Sequence, residues 1–557
     1  LHEGEFIPSG FHDLTDRLDG KPVAMLPGNS GDSLIVATDT DKLLYFAYNE
    51  NSETWEKRQT IPSPLGDGER MTTVNWLFGD MSLVLGGDRG SLKIFSLYPH
   101  PQADGAALRL FGETKKFPPL NGPVQHYAAS GINRSFLVSS PHAVRLCYGT
   151  TADIRWESDR LDFSPVQLAA NAEFNSMLAT DGQGRVHFFS IKDRHPEAGS
   201  KALVGKIWYE GYDSPKWLWQ SVGGTDDYES KLSLMPLVFG TLKGTLYALV
   251  FAVPVAVMAA VYTAHFMPPS VKRVVKPVME IMASLPSVVL GFFGALYLAP
   301  RMEDKVPALV CMVILIPSLA ALIAWFWTTR PAAWRNKFSN GLEYIVMTPV
   351  ILLCAWFCWE YLGYWLEQPF ISFTRGIMSL WGAGDFQAAS FADLWRNGFG
   401  MPYEQRNSLV VGFVMGFAVI PVIFTISEDA LSNVPPSLIA ASEALGASRW
   451  QIVRTVVLPV ASAGIFSALM IGLGRAVGET MIVLMATGNT PIMDWNIFNG
   501  MRTLSANIAT ELPEAAQDST HYRVLFLGGL ILFSMTFILN TLAEIVRQRL
   551  RKRFNVV

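Results

Sequence analysis

The chain of 557 residues is poor in cysteine, with four in all. Only Cys147 precedes residue 232, and a lone thiol builds no internal disulfide framework, so that half must fold on its own core. Cys311, Cys354 and Cys358 lie in apolar stretches and read as small core hydrophobes. No CxxC pair or His-rich spacing occurs, so no metal site is expected. No Gly-x4-Gly-Lys-Ser/Thr loop occurs either, so the chain is not expected to bind a nucleotide by that device, and no cofactor is expected. His12, His100, His126, His142, His187 and His195 are scattered singly, and no nucleophile–base pair stands out, so no catalytic residues are assigned. The net charge is −4, and no large basic face argues for a nucleic-acid partner. The chain opens on Leu1 without a recognisable export signal, although the topology below requires one, so a further helix upstream is expected.

Long apolar runs, by contrast, are abundant, and they fall in one half. Residues 1–231 alternate in short runs punctuated by turn residues, as in a soluble domain. From Leu232 on, stretches of about 20 apolar residues dominate, enough to cross roughly 30 Å of hydrocarbon as helices. Seven spans are predicted: Leu234–Phe266, Met279–Leu298, Val306–Trp327, Tyr344–Leu366, Ser408–Ile426, Val457–Val483 and Val524–Ile545. Lys243 is expected to snorkel outward from the first, and Glu360 to lie at an interface.

Basic residues in short loops mark the cytoplasmic side. Arg547, Arg549, Arg551, Lys552 and Arg553 place the C-terminus there. Counting back puts Lys272, Arg273 and Lys276 on the same side, with Arg330, Arg335 and Lys337, and with Arg449 and Arg454. An odd number of spans then leaves the N-terminal half outside, in a periplasm.

Four segments of that half resemble one another. Ser33–Phe46 aligns without gaps on Ser82–Phe95, Asn175–Phe188 repeats the theme, and Ser135–Tyr148 is a weaker copy. Each is a strand, an Asp/Gly turn and a second strand, spaced by about 40 to 50 residues, the signature of propeller blades. They resemble WD-repeat-like propellers without the Trp-Asp dipeptide; a β-sandwich with coincidental hairpins is the alternative. The predicted division is a propeller-like domain over 1–222, a linker over 223–233 within a Gly/Asp/Ser-rich stretch from Trp217 to Ser233, and a membrane domain over 234–557.

Within the membrane half, Asn433–Pro459 reads as two short helices and a tight turn. Ser432 or Asn433 is placed to cap the first, Gly446 to end it in a left-handed conformation, and Ser448 with Gln451 to box the second. Pro459 is expected to stop or kink that helix. This stretch, 432–459, exposes Leu438, Ile439, Leu445 and Trp450, and it resembles the coupling loop of ABC importer permeases: an Ala-rich helix, a Gly, and a Pro thirteen residues on. The resemblance implies that Ala441, Glu443, Gly446, Trp450 and Pro459 meet an ATPase subunit. The family often has Glu six residues before that Gly, where this chain has Ala440, and Glu443 is displaced.

Ala283-Ser284-Leu285-Pro286-Ser287-Val288-Val289-Leu290-Gly291 and Gly474-Arg475-Ala476-Val477-Gly478-Glu479-Thr480-Met481, with Gly488-Asn489-Thr490-Pro491 beyond, resemble the C-type permease of phosphate-specific transport systems. That resemblance covers about Leu234–Leu298 and Ser408–Leu550. The spans between Val306 and Leu366 look like an insertion. Together with the repeats, it leads to an expected mixed fold: an N-terminal all-β propeller-like domain, and a C-terminal all-α polytopic domain of the ABC importer permease type embedded in a bacterial inner membrane. It also implies a sibling permease, an ABC ATPase dimer and a periplasmic phosphate-binding protein as partners. Arg475, Glu479 and Thr480 become the candidate phosphate path. Arg475 and Glu479, four apart, are expected on one helix face, as an anion site or as an ion pair. Permeases for phosphonate or sulfate, and a membrane-anchored sensor, are the competing readings.

Overall fold

The computed structural model describes residues 12–49, 51–66, 68–101, 107–158, 161–225, 228–329, 342–380 and 388–554. The basic cluster Arg330, Arg335 and Lys337 lies outside them. Contacts divide the chain into two units, 1–235 and 236–557.

In the first unit the repeats become four antiparallel sheets. The first is β1 (Pro22–Pro27), β2 (Ser33–Thr38), β3 (Lys42–Asn49) and β4 (Thr54–Pro62), in that order. The second is β5 (Met71–Trp76), β6 (Ser82–Gly87), β7 (Leu92–Pro101) and β8 (Ala107–Phe117). The third is β9 (His126–Ala129), β10 (Ser135–Ser140), β11 (Ala143–Tyr148) and β12 (Asp153–Ser158). The fourth has three strands: β13 (Pro165–Ala170), β14 (Ser176–Asp181) and β15 (Val186–Ser190). The aligned segments are the central hairpins, pairing Ile35 with Tyr45, Leu83 with Phe95, Leu137 with Leu146 and Leu178 with Phe188. Their Asp/Gly turns pass through left-handed conformations at Asp41, Gly90 and Gly184, which glycine adopts without strain and aspartate tolerates.

The sheets are arranged as blades. The first strands neighbour one another in sequence, β1 beside β5, β5 beside β9 and β9 beside β13. All four border one cavity of about 530 Å³, with Val23, Asn75, His126 and Gln167 among its lining residues. Successive sheets bury apolar faces against each other: Ile35 and Leu43 against Leu83 and Leu85, Ile94 and Phe117 against Phe136 and Val138, Leu146 against Met177. Two facing sheets would define a sandwich; four small ones around an axis are propeller-like. Burial pushes the Cys147 thiol up to about 12, as expected of a core hydrophobe rather than a reactive group.

The stretch predicted as a linker is tied to this unit. β16 (Trp219–Gln220) pairs with β17 (Lys231–Leu232). Arg134, at the start of β10, binds Glu210 at 3.0 Å, and Tyr148 donates to Glu229 at 3.3 Å. Burial pushes the Glu229 carboxyl up to about 7, with Arg134 pulling the other way.

The second unit is helical. Among the described residues, six helices are long and apolar enough to cross a membrane: α1 (Met235–His265), α4 (Lys305–Phe326), α5 (Met347–Met378), α6 (Ser408–Ser432), α8 (Arg449–Val477) and α11 (Thr520–Arg549). α2 (Pro269–Ala283) and α3 (Ser287–Glu303) form a pair bent by 83°, which makes seven if counted as one span. The predicted span Met279–Leu298 is therefore broken. Leu285 precedes Pro286, whose ring disfavours helical backbone at the residue before it, and the chain turns there. Helical backbone then continues past Leu298, where a loop was expected, and α4 follows at once. Between the longer helices lie α7 (Pro436–Ala444), α9 (Met481–Ala486) and α10 (Leu504–Glu511).

α6 is the axis of this unit. Gly412 and Gly416 lie so close to α1 that a Cβ would stand 3.0 Å from Tyr247 and 2.7 Å from Phe251. On the α8 side, a Cβ on Gly472 would stand 2.6 Å from Ile423. Small residues permitting such approach are how helices pack where lipid removes the hydrophobic drive. α5 runs beyond Leu366, the predicted end of the insertion, and Glu360 is exposed.

Candidate functional site

α6 ends at Ser432, and α7 starts from Pro435 with Pro436 in its first turn. Neither Ser432 nor Asn433 caps α7, contrary to expectation. Ser432 still belongs to α6, where its hydroxyl donates to Glu428 at 2.6 Å, and a proline in the first turn has no N–H to satisfy. Gly446 does take the left-handed conformation, at φ 80°, with open space where a Cβ would be. The demand for glycine there is one of backbone alone. Ser448 and Gln451 form the reciprocal capping box, Ser448 N–H donating to Gln451 Oε1 at 2.8 Å.

Pro459 does not stop the helix. A π-helical turn over Val453–Val457 precedes it, and α8 continues to Val477. The wider turn absorbs the hydrogen bond that proline cannot make. The result is a twice-capped corner with Leu438, Leu445 and Trp450 outward, while Ile439, expected to be exposed, is partly buried against the helical core. Leu445 is 89% exposed and Trp450 58%, and Ala441 and Glu443 are also exposed. An exposed apolar corner of this kind is a surface for a partner.

Arg475 and Glu479 do not share a helix face. α8 ends at Val477 with Gly478 as its cap, and Glu479 lies past the break. The Glu479 carboxylate accepts from the Ile482 N–H at 3.3 Å, at the start of α9. Its backbone carbonyl accepts from Ser505 at 3.1 Å. Thr480 donates to the Gly478 carbonyl at 3.1 Å. Arg475, in the last turn of α8, is half-buried, and no ion pair engages it among the described residues. A cation there is favoured by the helix dipole. α11 passes alongside, with Asn540 Oδ1 3.5 Å from where a Cβ of Gly474 would sit.

The run Gly488-Asn489-Thr490-Pro491 is organised by a residue that the sequence did not single out. Glu404 accepts from Thr490 Oγ1 at 3.1 Å and from Gly500 N–H at 2.9 Å. A Cβ on Gly488 or Gly500 would stand 3.1 or 2.5 Å from its carboxylate, so the glycines make its room. Lys243 does not snorkel to solvent. It is fully buried, donating to Asp494 Oδ1 at 3.1 Å and to the Asn496 carbonyl at 2.8 Å. Its partners lie 251 and 253 residues away, a pairing that no local pattern announces.

Residues 252–553, more than half of the chain, match the family described as binding-protein-dependent transport system inner membrane component. The chain belongs to that family. It is an ABC transporter permease, a membrane protein with an additional β unit. It is similar to the phosphate transport system permease protein PstC 1 of Mycobacterium tuberculosis, 30% identical over 257 residues, covering 46% of this chain and 72% of the relative. PstC of Mesorhizobium japonicum is 28% identical over 263 residues, covering 47% of this chain and 75% of that one. The probable ABC transporter permease YqgH of Bacillus subtilis is 34% identical over 144 residues, 26% of this chain and 47% of that one.

Proposed function

We propose that this permease moves inorganic phosphate across a bacterial inner membrane, driven by a separate ATPase dimer and supplied by a periplasmic phosphate-binding protein, with a sibling permease completing the pathway. Its role is transport and not catalysis. The observation that carries the reading is Arg475: a guanidinium with no ion pair among the described residues, at a helix break within the motif that resembles phosphate permeases. The names of the PstC relatives support the choice of phosphate over sulfate or phosphonate. The capped corner 435–451 is the ATPase dock in this reading, with Gly446 and Trp450 at its centre and Ala441 and Glu443 beside them. Pro459 lies behind it, within α8.

The basic loops favour the β unit outside and the C-terminus in the cytoplasm, with α2 and α3 counted as one crossing. In intact spheroplasts, an impermeant thiol reagent should label single cysteines at exposed β-unit positions and spare Ser448→Cys until the membrane is broken. The reverse pattern refutes the orientation.

Phosphate uptake into vesicles carrying the whole importer, with sulfate as competitor, tests the substrate. Because Glu479 binds the Ile482 N–H and not Arg475, Arg475→Gln strands no charge. A charge-assisted contact worth about 1.5–3 kcal/mol corresponds to roughly ten- to hundredfold in uptake. Arg475→Gln should lose that much while assembly and ATP hydrolysis persist. Unchanged uptake would remove Arg475 from the path.

A further inference from the structure

Glu428 is the least solvent-exposed carboxylate among the described residues. It sits one turn before the end of α6, between Phe424 and Leu431, which are buried with it. Its Oε1 accepts from Ser432 at 2.6 Å and faces Lys272 Nζ at 2.5 Å. Its Oε2 faces Lys276 Nζ at 2.9 Å, an ion pair by distance without hydrogen-bond alignment. Lys276 also reaches Asp429 at 2.9 Å, and Lys272 donates to Ser432 at 3.2 Å. The two lysines, four apart on α2, share one face. Burying a carboxylate costs several kcal/mol of solvation, so its ion pairs must be geometrically good to offset it.

What Glu428 joins is informative. On one side, three residues separate Ser432, the end of its helix, from α7, the first arm of the exposed corner. On the other is α2, an amphipathic helix with no buried residue of its own, whose main packing partner is α6. α2 turns through 83° into α3. α3 packs in turn on α9: a Cβ on Gly291 would stand 3.0 Å from the Met481 carbonyl and 3.2 Å from Met485 Sδ. α9 begins directly after Glu479 and Thr480. A continuous series of contacts thus runs from the corner to the helix break that carries Arg475.

We infer that Glu428, clamped by Lys272 and Lys276, is a positioning residue that transmits movement of the 435–451 corner through α2 and α3 to the Arg475–Glu479 break. This rests on the reading of that corner as the ATPase dock. Contact alone does not establish coupling; the prediction is that neutralising Glu428 separates hydrolysis from transport.

The test is Glu428→Gln in the reconstituted importer, which keeps the side chain's size and removes its charge. Hydrolysis should continue within about twofold of the original, and phosphate moved per ATP should fall at least about tenfold. Glu428→Lys combined with Lys272→Glu and Lys276→Glu should restore part of that ratio. A purely structural role predicts that uptake and hydrolysis fall together with assembly, and that result, or an unchanged ratio, overturns the inference. A second readout does not depend on phosphate. In a background with the four native cysteines replaced, a thiol at the exposed position Val289 on α3 should change its labelling rate when nucleotide is added, and lose that response with Glu428→Gln. A nucleotide response that survives Glu428→Gln also overturns the inference. An importer that responds at Val289 but takes up no phosphate would leave the relay standing and refute the substrate.

Discussion

α6 and the pair α4 and α5 are all hydrophobic enough to cross a membrane, yet they keep very different company. In the most apolar window of α6, 67% of residues are buried inside the chain; for α4 and α5 the figure is 11% each. α6 presents Gly412 and Gly416 to α1 and Ile423 to Gly472. α4 and α5 present Trp325, Trp356, Tyr364, Trp365 and Phe373 outward. Hydropathy does not distinguish α6 from α4, with a mean of 2.6 for each, because it measures compatibility with hydrocarbon and not the presence of a neighbour. Small residues at helical spacing do distinguish them, since they are what permits one backbone to approach another.

The contrast is broken most severely by filling the closer of the two approaches of α6 to α1. Gly416→Val places branched carbons where Phe251 Cδ1 and the Ala248 carbonyl already stand 2.7 and 3.1 Å from a Cβ. Overpacking of this kind costs about 1–3 kcal/mol, and a backbone oxygen cannot swing aside as a side chain does. The purified protein should unfold at a clearly lower temperature, with transport reduced. A variant of unchanged stability would mean that α1 and α6 separate more easily than their packing implies.

How much of this was legible beforehand follows the range of each interaction. The blade hairpins were readable, because a strand, an Asp/Gly turn and a strand are local. Gly446 and the Ser448–Gln451 box were readable for the same reason. The Pro286 break was visible as a residue and misjudged as the interior of a span, because a window of hydropathy averages over a bend. Arg475 and Glu479 were assigned one face by assuming the helix ran on, when Gly478 ends it. Glu404, Asp494 and the Glu428 clamp were not found at all. Their partners are 86, 251 and more than 150 residues away in sequence, and only the folded chain brings them together.

A smaller effect is expected where two glycines face different surroundings. Gly446→Val forces a branched residue into a left-handed conformation, a strain of about 1–2 kcal/mol, but nothing lies within 4 Å of the new side chain. Thermal stability of the isolated chain should drop slightly, while ATPase association, read by co-purification, should weaken much more. Gly363→Val tests the packing of α5 on α4, since a Cβ there would stand 2.5 Å from Ala308. Because α4 and α5 pack mainly on each other and not on the buried centre of the unit, they can shift apart, and the loss should be about 1 kcal/mol. A loss as large as that of Gly416→Val would mean that α4 and α5 are as tightly held as α6.

The smallest effect sharpens the comparison most. Trp365 is well exposed on α5, so Trp365→Ala removes a large ring without opening a cavity in this chain. Substitutions that touch no packed neighbour usually stay within about 0.5 kcal/mol, and the purified chain in detergent should unfold at an unchanged temperature. The informative measurement is the same substitution in the assembled importer. If lipid covers this face, assembly and uptake stay as they were, because hydrocarbon replaces ring contacts with its own. If a protein neighbour covers it, Trp365→Ala leaves a gap in that interface, where buried aromatic residues carry much of the binding energy, and the complex dissociates more readily. Unchanged stability alone with weakened assembly would show that α4 and α5 are bare only in the isolated chain, and that the contrast with α6 belongs to the subunit and not to the importer.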